Sequence, residues 1–158
     1  MAKIIEYSKE YEEKTKQLYT DVLIEEFEFE LFRDEILNED LEYYMQDGGK
    51  LWLAVDDEDN VVATMAIDKK TPDTVDLRKV YMNKDYRGTG LASTMFDNAM
   101  EFCKEHNYKR VLLGTYQRLG RAIGFYQKKG FKEYFDEDKE ITELGERLFA
   151  LDLCDLQA

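Results

Sequence analysis

The chain has 158 residues, 44% of them hydrophobic and 13% aromatic, with a single proline. That suits one domain of roughly 100–150 residues and is too apolar for a disordered acidic chain, even with 36% of residues charged. Lys and Arg total 22 against 35 Asp and Glu, a formal net charge of -13. Such a surface repels phosphate backbones and anionic lipid, so no nucleic acid and no membrane is expected as a partner.

The chain opens with MAKIIEYSKEYEEK, which has no apolar signal-peptide core. Ile4–Tyr7 is a short predicted strand. Tyr11–Ile24 has apolar residues recurring every three to four positions and predicts a helix, with Ser8 as its N-cap. Phe29–Leu37 and Asp40–Gln46 are predicted helical, broken near Asn38 and stopped by Gly48-Gly49. Lys50–Val55 and Val61–Lys69 are apolar strands about a polar turn, and so predict a hairpin. A turn at Thr71-Pro72-Asp73 leads to a third strand, Thr74–Met82. A glycine-bearing loop then enters a periodic helix from Leu91 to about Glu105, which would bury Cys103 as a small hydrophobe. Arg110–Thr115 is a strand, Arg118–Lys129 a helix closed by Gly130, and Phe131–Phe135 and Arg147–Leu153 are the last strands.

The order β-αα-β-β-β-α-β-α-β-β predicts an α/β (α+β) domain with a mixed sheet and helices on its faces. No run of ~18 apolar residues occurs, so no spanning helix is expected. Cys103 and Cys154 form no CxxC pattern, and a reduced cytoplasmic protein is the default. His106 is the only histidine, so no metal is expected.

The informative segment is Tyr86-Arg87-Gly88-Thr89-Gly90-Leu91-Ala92, between a strand and a strongly periodic helix. Gly88 and Gly90 permit tight backbone turns. Their N–H groups, with those of Leu91 and Ala92, can converge on one anion at the helix N-terminus. Thr89 lies between the two glycines, Arg87 adds a full charge at the mouth, and Ala92 leaves room for a phosphate oxygen. The loop is too short for GxxxxGK[ST] and lacks the full GxGxxG pattern.

Arg87-x-x-Gly90-x-Ala92 resembles the pyrophosphate-binding signature of the GNAT acetyltransferases, and Phe125-Tyr126-Gln127-Lys128-Lys129-Gly130-Phe131 resembles their Phe-Tyr-x-x-x-Gly-Phe run. The element order matches as well, over nearly the whole chain, residues 1–158 forming a single domain. Where many members carry an asparagine, the chain reads Tyr116-Gln117-Arg118-Leu119-Gly120-Arg121. The resemblance implies a largely antiparallel central sheet of about 6–7 strands flanked by about 4 helices. It also implies acetyl-CoA as co-substrate, with Arg87, Gly88, Thr89, Gly90, Leu91 and Ala92 at the coenzyme phosphates and the backbone of Val80 and Met82 along the pantetheine arm. Homodimers are common in the family.

By the same resemblance Tyr126 is the general acid; a phenol, with its reference pKa of ~10, is protonated at neutral pH and can donate to a leaving thiolate. Asp76, six residues before Met82, is the candidate base. In the family, the helices after the first strand line the acceptor pocket, which here carries Glu25, Glu26 and Glu28, and Asp136-Glu137-Asp138 precedes the last strand. If these acids face the cleft, the acceptor is a cationic small molecule or a peptide amine; as a solvated face they have no such role. The alternative from another class is a non-catalytic acyl-CoA sensor with the same loop.

Overall fold

The computed structural model describes residues 2–117, 119–137 and 145–154. Among the described residues, seven strands occur in the order β1-β2-β3-β4-β5-β7-β6. They are β1 (Lys3–Glu6), β2 (Lys50–Val55), β3 (Val61–Lys69), β4 (Thr74–Met82), β5 (Arg110–Tyr116), β6 (Lys132–Tyr134) and β7 (Glu146–Asp152). The α-helices are α1 (Glu12–Tyr19), α2 (Arg33–Asn38), α3 (Leu91–Glu105) and α4 (Gly120–Lys128). The pairs β1–β2, β2–β3, β5–β7 and β6–β7 are antiparallel and β4–β5 is parallel. The chain divides into two compact units, residues 1–68 with 78–102, and residues 69–77 with 103–158.

In the first unit, β2 and β3 are buried almost throughout, without alternation. A strand that buries successive residues is covered on both faces. Trp52 of β2 packs edge-on against Phe102 of α3, and Tyr19 of α1 against Tyr81 of β4. Gly49 turns the chain into β2 where no side chain fits, since a Cβ there would stand 2.8 Å from Tyr44 O and 2.9 Å from Ile67 O.

The predicted helix Tyr11–Ile24 is not uniform. A 3₁₀ turn at Lys9–Tyr11 precedes α1, and from Thr20 to Glu26 the helix widens to π geometry. Thr20 turns its hydroxyl back onto Lys16 O (3.0 Å), and Phe27 N bonds Val22 O five residues back (3.1 Å). This back-bonding competes with the regular α ladder. Ser8 makes no capping bond; its hydroxyl donates to Glu10 instead (3.3 Å). The predicted helices at Phe29–Leu37 and Asp40–Gln46 are a 3₁₀ turn followed by α2, and a 3₁₀ turn Leu41–Met45 capped by the Asp40 carboxylate.

In the second unit β5 pairs with β7 from Arg110↔Asp152 to Tyr116↔Glu146. Phe149 and Leu151 of β7 are buried, as are Ile123 and Tyr126 of α4. Helix α4 begins at Gly120; the Arg118 of the predicted start lies outside the described residues. It ends in a Schellman cap: Phe131 N bonds Tyr126 O and Gly130 N bonds Gln127 O, both at 3.1 Å, with Gly130 at φ +100°.

Candidate functional site

Beyond Met82, Asn83 N bonds Val62 O (2.8 Å) and the Asn83 side chain accepts from Asp85 N (2.8 Å). These bonds close one 3₁₀ turn, Lys84–Tyr86, and aim the chain at the glycine loop. Gly88 and Gly90 adopt φ of +77° and +90°, a region that penalises any residue with a Cβ. Thr89 Oγ1 donates to Tyr86 O (2.5 Å), and Thr94 N and Oγ1 both donate to Gly90 O (3.1 Å each).

Helix α3 therefore begins at Leu91 with first-turn amides that have no intrahelical acceptor. No acidic residue occupies that turn, and a Cβ placed on Gly90 would meet nothing within 4 Å. An acid-free helix N-terminus is a place where an anion is stabilised.

Arg87 Nη1 and Nη2 grip the two carboxylate oxygens of Glu26, with Nη2 2.6 Å from Oε1. Nη2 also donates to Met82 O (2.9 Å), and the guanidinium lies over the Phe27 ring, 5.7 Å from its centroid. Three of the sequence-predicted residues thus meet here, Glu26 from the π segment, Met82 from β4 and Arg87, which leads into the glycine loop. Glu25 and Glu28 are exposed, and Glu28 has φ +60°. Val80 is half-buried on β4.

Asp76 and Tyr126 belong to the second unit. Asp76 Oδ2 is 3.5 Å from Lys70 Nζ. Tyr126 is 5% exposed and held edge-on by Phe125 and Phe131, with ring centroids 5.8 and 5.7 Å away. Of the acidic stretch before the last strand, Asp138 lies outside the described residues.

Sequence reasoning missed one charged group. Lys79 adopts φ +55° in mid-β4, its carbonyl accepts from Thr64 Oγ1 (2.6 Å), and its ammonium pairs with Glu39. Its strand also carries Asp76 and Arg78 and buries only Val75 and Leu77, so composition alone did not single it out. Burial holds the pKa of the neighbouring Tyr19 phenol well above 10. A polar cleft of about 610 Å³ also opens in the first unit, between Gln17 and Leu18, Asp56 and Asn60, and Asn83 and Tyr86. None of the sequence-predicted site residues lines it.

Residues 6–131 match the acetyltransferase (GNAT) family profile. Over 114 residues the chain is 32% identical to human N-acetylaspartate synthetase, covering 68% of this chain but only 38% of that protein. A GNAT-family acetyltransferase from Staphylococcus aureus superposes with a TM-score of 0.85 at 26% identity, covering 97% of this chain and 99% of the other. The PaiA N-acetyltransferase of Thermoplasma acidophilum, solved in complex with coenzyme A, shares the fold with a TM-score of 0.69 at 15% identity, covering 96% and 99%.

Proposed function

Because the chain belongs to the GNAT acetyltransferase family, we propose that residues 1–158 form one acyl-CoA N-acyltransferase domain. It moves an acetyl group from acetyl-CoA to a primary amine, by direct attack in a ternary complex. The observation that carries this reading is the loop itself. Gly88 and Gly90, both at positive φ, open directly into the N-terminus of a 15-residue helix whose first turn holds no acid. A coenzyme A complex of a protein with the same fold adds support.

Acetyl-CoA supplies the activated acyl group. Amides from Gly88 to Ala92 and the Arg87 guanidinium hold its phosphates, and the backbone of Val80 and Met82 runs along the pantetheine arm. Asp76 takes a proton from the acceptor ammonium, directly or through water, so that a neutral amine reaches the carbonyl. Asp76 Oδ2 lies 3.5 Å from Lys70 Nζ. Tyr126 gives its phenolic proton to the sulfur as the carbon–sulfur bond breaks. Burial between two aromatic rings fixes the direction of its ring.

Glu25, Glu26 and Glu28 mark the acceptor side and favour a cationic amine. Amino acids also belong in the trial, aspartate above all, because one relative is an N-acetylaspartate synthetase.

The test is release of free thiol from acetyl-CoA across polyamines, aminoglycosides, amino acids and peptides, with wild type and Tyr126→Phe. Acceptor-dependent release that falls ~10²–10⁴-fold in the variant is the expected result. Acetyl-CoA binding without release for any acceptor would favour the sensor reading, and absence of binding would overturn the assignment of the loop.

A further inference from the structure

We propose that Glu26 is an internal competitor for the phosphate site at Arg87, so that coenzyme binding frees the acceptor-side segment that Glu26 anchors. The inference rests on the reading of the loop above.

The chemistry is that of one guanidinium facing two anions. Arg87 presents a planar fork, and Glu26 occupies it with both carboxylate oxygens. A second donor on Nη2 is committed to Met82 O. A phosphate approaching the same fork must displace the carboxylate or share it, since both recognise the paired N–H groups. The pair is within reach of a ligand, with the Arg87 and Glu26 side chains 19% and 27% exposed.

The carboxylate is attached to a segment able to respond. Glu26 is the last residue of the π turn Thr20–Glu26. Val22, Leu23 and Ile24 are buried before it and Phe29 is buried after it. Between these anchors lie Glu25 to Glu28, with Phe27 under the guanidinium and Glu28 at φ +60°. A non-glycine residue in that region is strained and persists only where its surroundings enforce it. The amides of Phe27, Glu28 and Phe29 bond back to the carbonyls of Val22, Ile24 and Leu23 (3.1, 3.1 and 2.8 Å), and the Arg87 contacts reach the span from the glycine loop. When phosphate takes the fork, the span relaxes, and Glu26 joins Glu25 and Glu28 on the acceptor side. Coupling of this kind is reciprocal, so the ion pair lowers coenzyme affinity by the same factor by which the coenzyme weakens the pair.

The experiment is calorimetric titration of coenzyme A into wild type, Glu26→Gln, Arg87→Ala and the double variant. Glu26→Gln is expected to tighten binding about 10-fold, the scale of one charge-assisted contact. It is expected to have no effect when Arg87 is already Ala. Hydrogen exchange on the wild type gives a readout free of substitutions: amides of residues 25–29 should exchange faster once coenzyme A is bound. Unchanged or weaker binding by Glu26→Gln, or slower exchange in that span, overturns the proposal and leaves the function standing. Failure of wild type to bind coenzyme A overturns both.

Discussion

Lys79 Nζ lies 2.5 Å from Glu39 Oε2 and 5.4 Å from the centroid of the Tyr19 ring. The two charged side chains are only 11% and 19% exposed, so each is largely stripped of water and depends on the other. Tyr44 donates a further bond to Glu39 (3.3 Å). Removing one partner leaves the second charge desolvated, so Lys79→Met and Glu39→Gln should each lower unfolding free energy by about 2–4 kcal/mol. Removing both should cost less than the sum of the two, and urea denaturation of the four proteins measures this coupling. Additive losses would mean that the pair contributes nothing beyond its separate side chains.

Gly90 tests the loop without touching its charges. A methyl group there has room, with nothing within 4 Å, but φ of +90° costs an L-residue roughly 1–2 kcal/mol. Gly90→Ala should therefore shift the loop amides and weaken coenzyme A binding at least ~10-fold. Gly120 is the control. It too has open space around its Cβ position, without a positive φ, and Gly120→Ala should leave both binding and melting temperature nearly unchanged.

The elements most legible in the sequence were those whose local pattern and tertiary role agree. Strand β4 and helix α3 fall at their predicted bounds because alternation, glycine punctuation and helical period all point the same way. The run Phe125 to Phe131 was legible for a mixed reason. Its glycine and last phenylalanine close α4 through a Schellman cap, so part of a sequence signature serves the fold whatever Tyr126 does. What stayed hidden was pairing at long range. Nothing in spacing joins Glu26 to Arg87, 61 residues apart, or Glu39 to Lys79, 40 residues apart. The widening of α1 into a π turn was also invisible, since Val22, Leu23 and Ile24 suit either geometry.

The cysteines should behave oppositely. Cys103 is fully buried in α3, and burial pushes its thiol up to about 12; Cys154 is exposed. A thiol reagent needs thiolate and access. Native protein should therefore titrate one thiol with Ellman's reagent, and guanidinium-unfolded protein two. Two fast thiols in the native state would show that α3 opens readily. The single fast thiol also sets the background for the thiol-release assay.

In the second unit the Glu133 carboxylate meets Arg147 twice, Nε to Oε2 and Nη2 to Oε1, both at 2.7 Å. These bonds hold the Glu133 carboxyl below the usual carboxylate range. A group whose pKa is lower when folded binds protons more weakly in the native state than in the unfolded one. Its contribution is complete above the unfolded value, ~4.3 for glutamate, and is lost as pH falls through the folded value. Glu133→Gln removes that linkage. Melting temperatures followed from pH 7 down to about 3 should show wild type losing its advantage over the variant below ~4.3, with the gap constant above it. Screening limits the size of the effect, because both side chains are partly exposed, at 26% and 32%. High salt should accordingly shrink the gap at pH 7. A gap that instead widened on acidification would place the source of acid sensitivity elsewhere, and would mean that the pair does not bind β6 to β7 through charge.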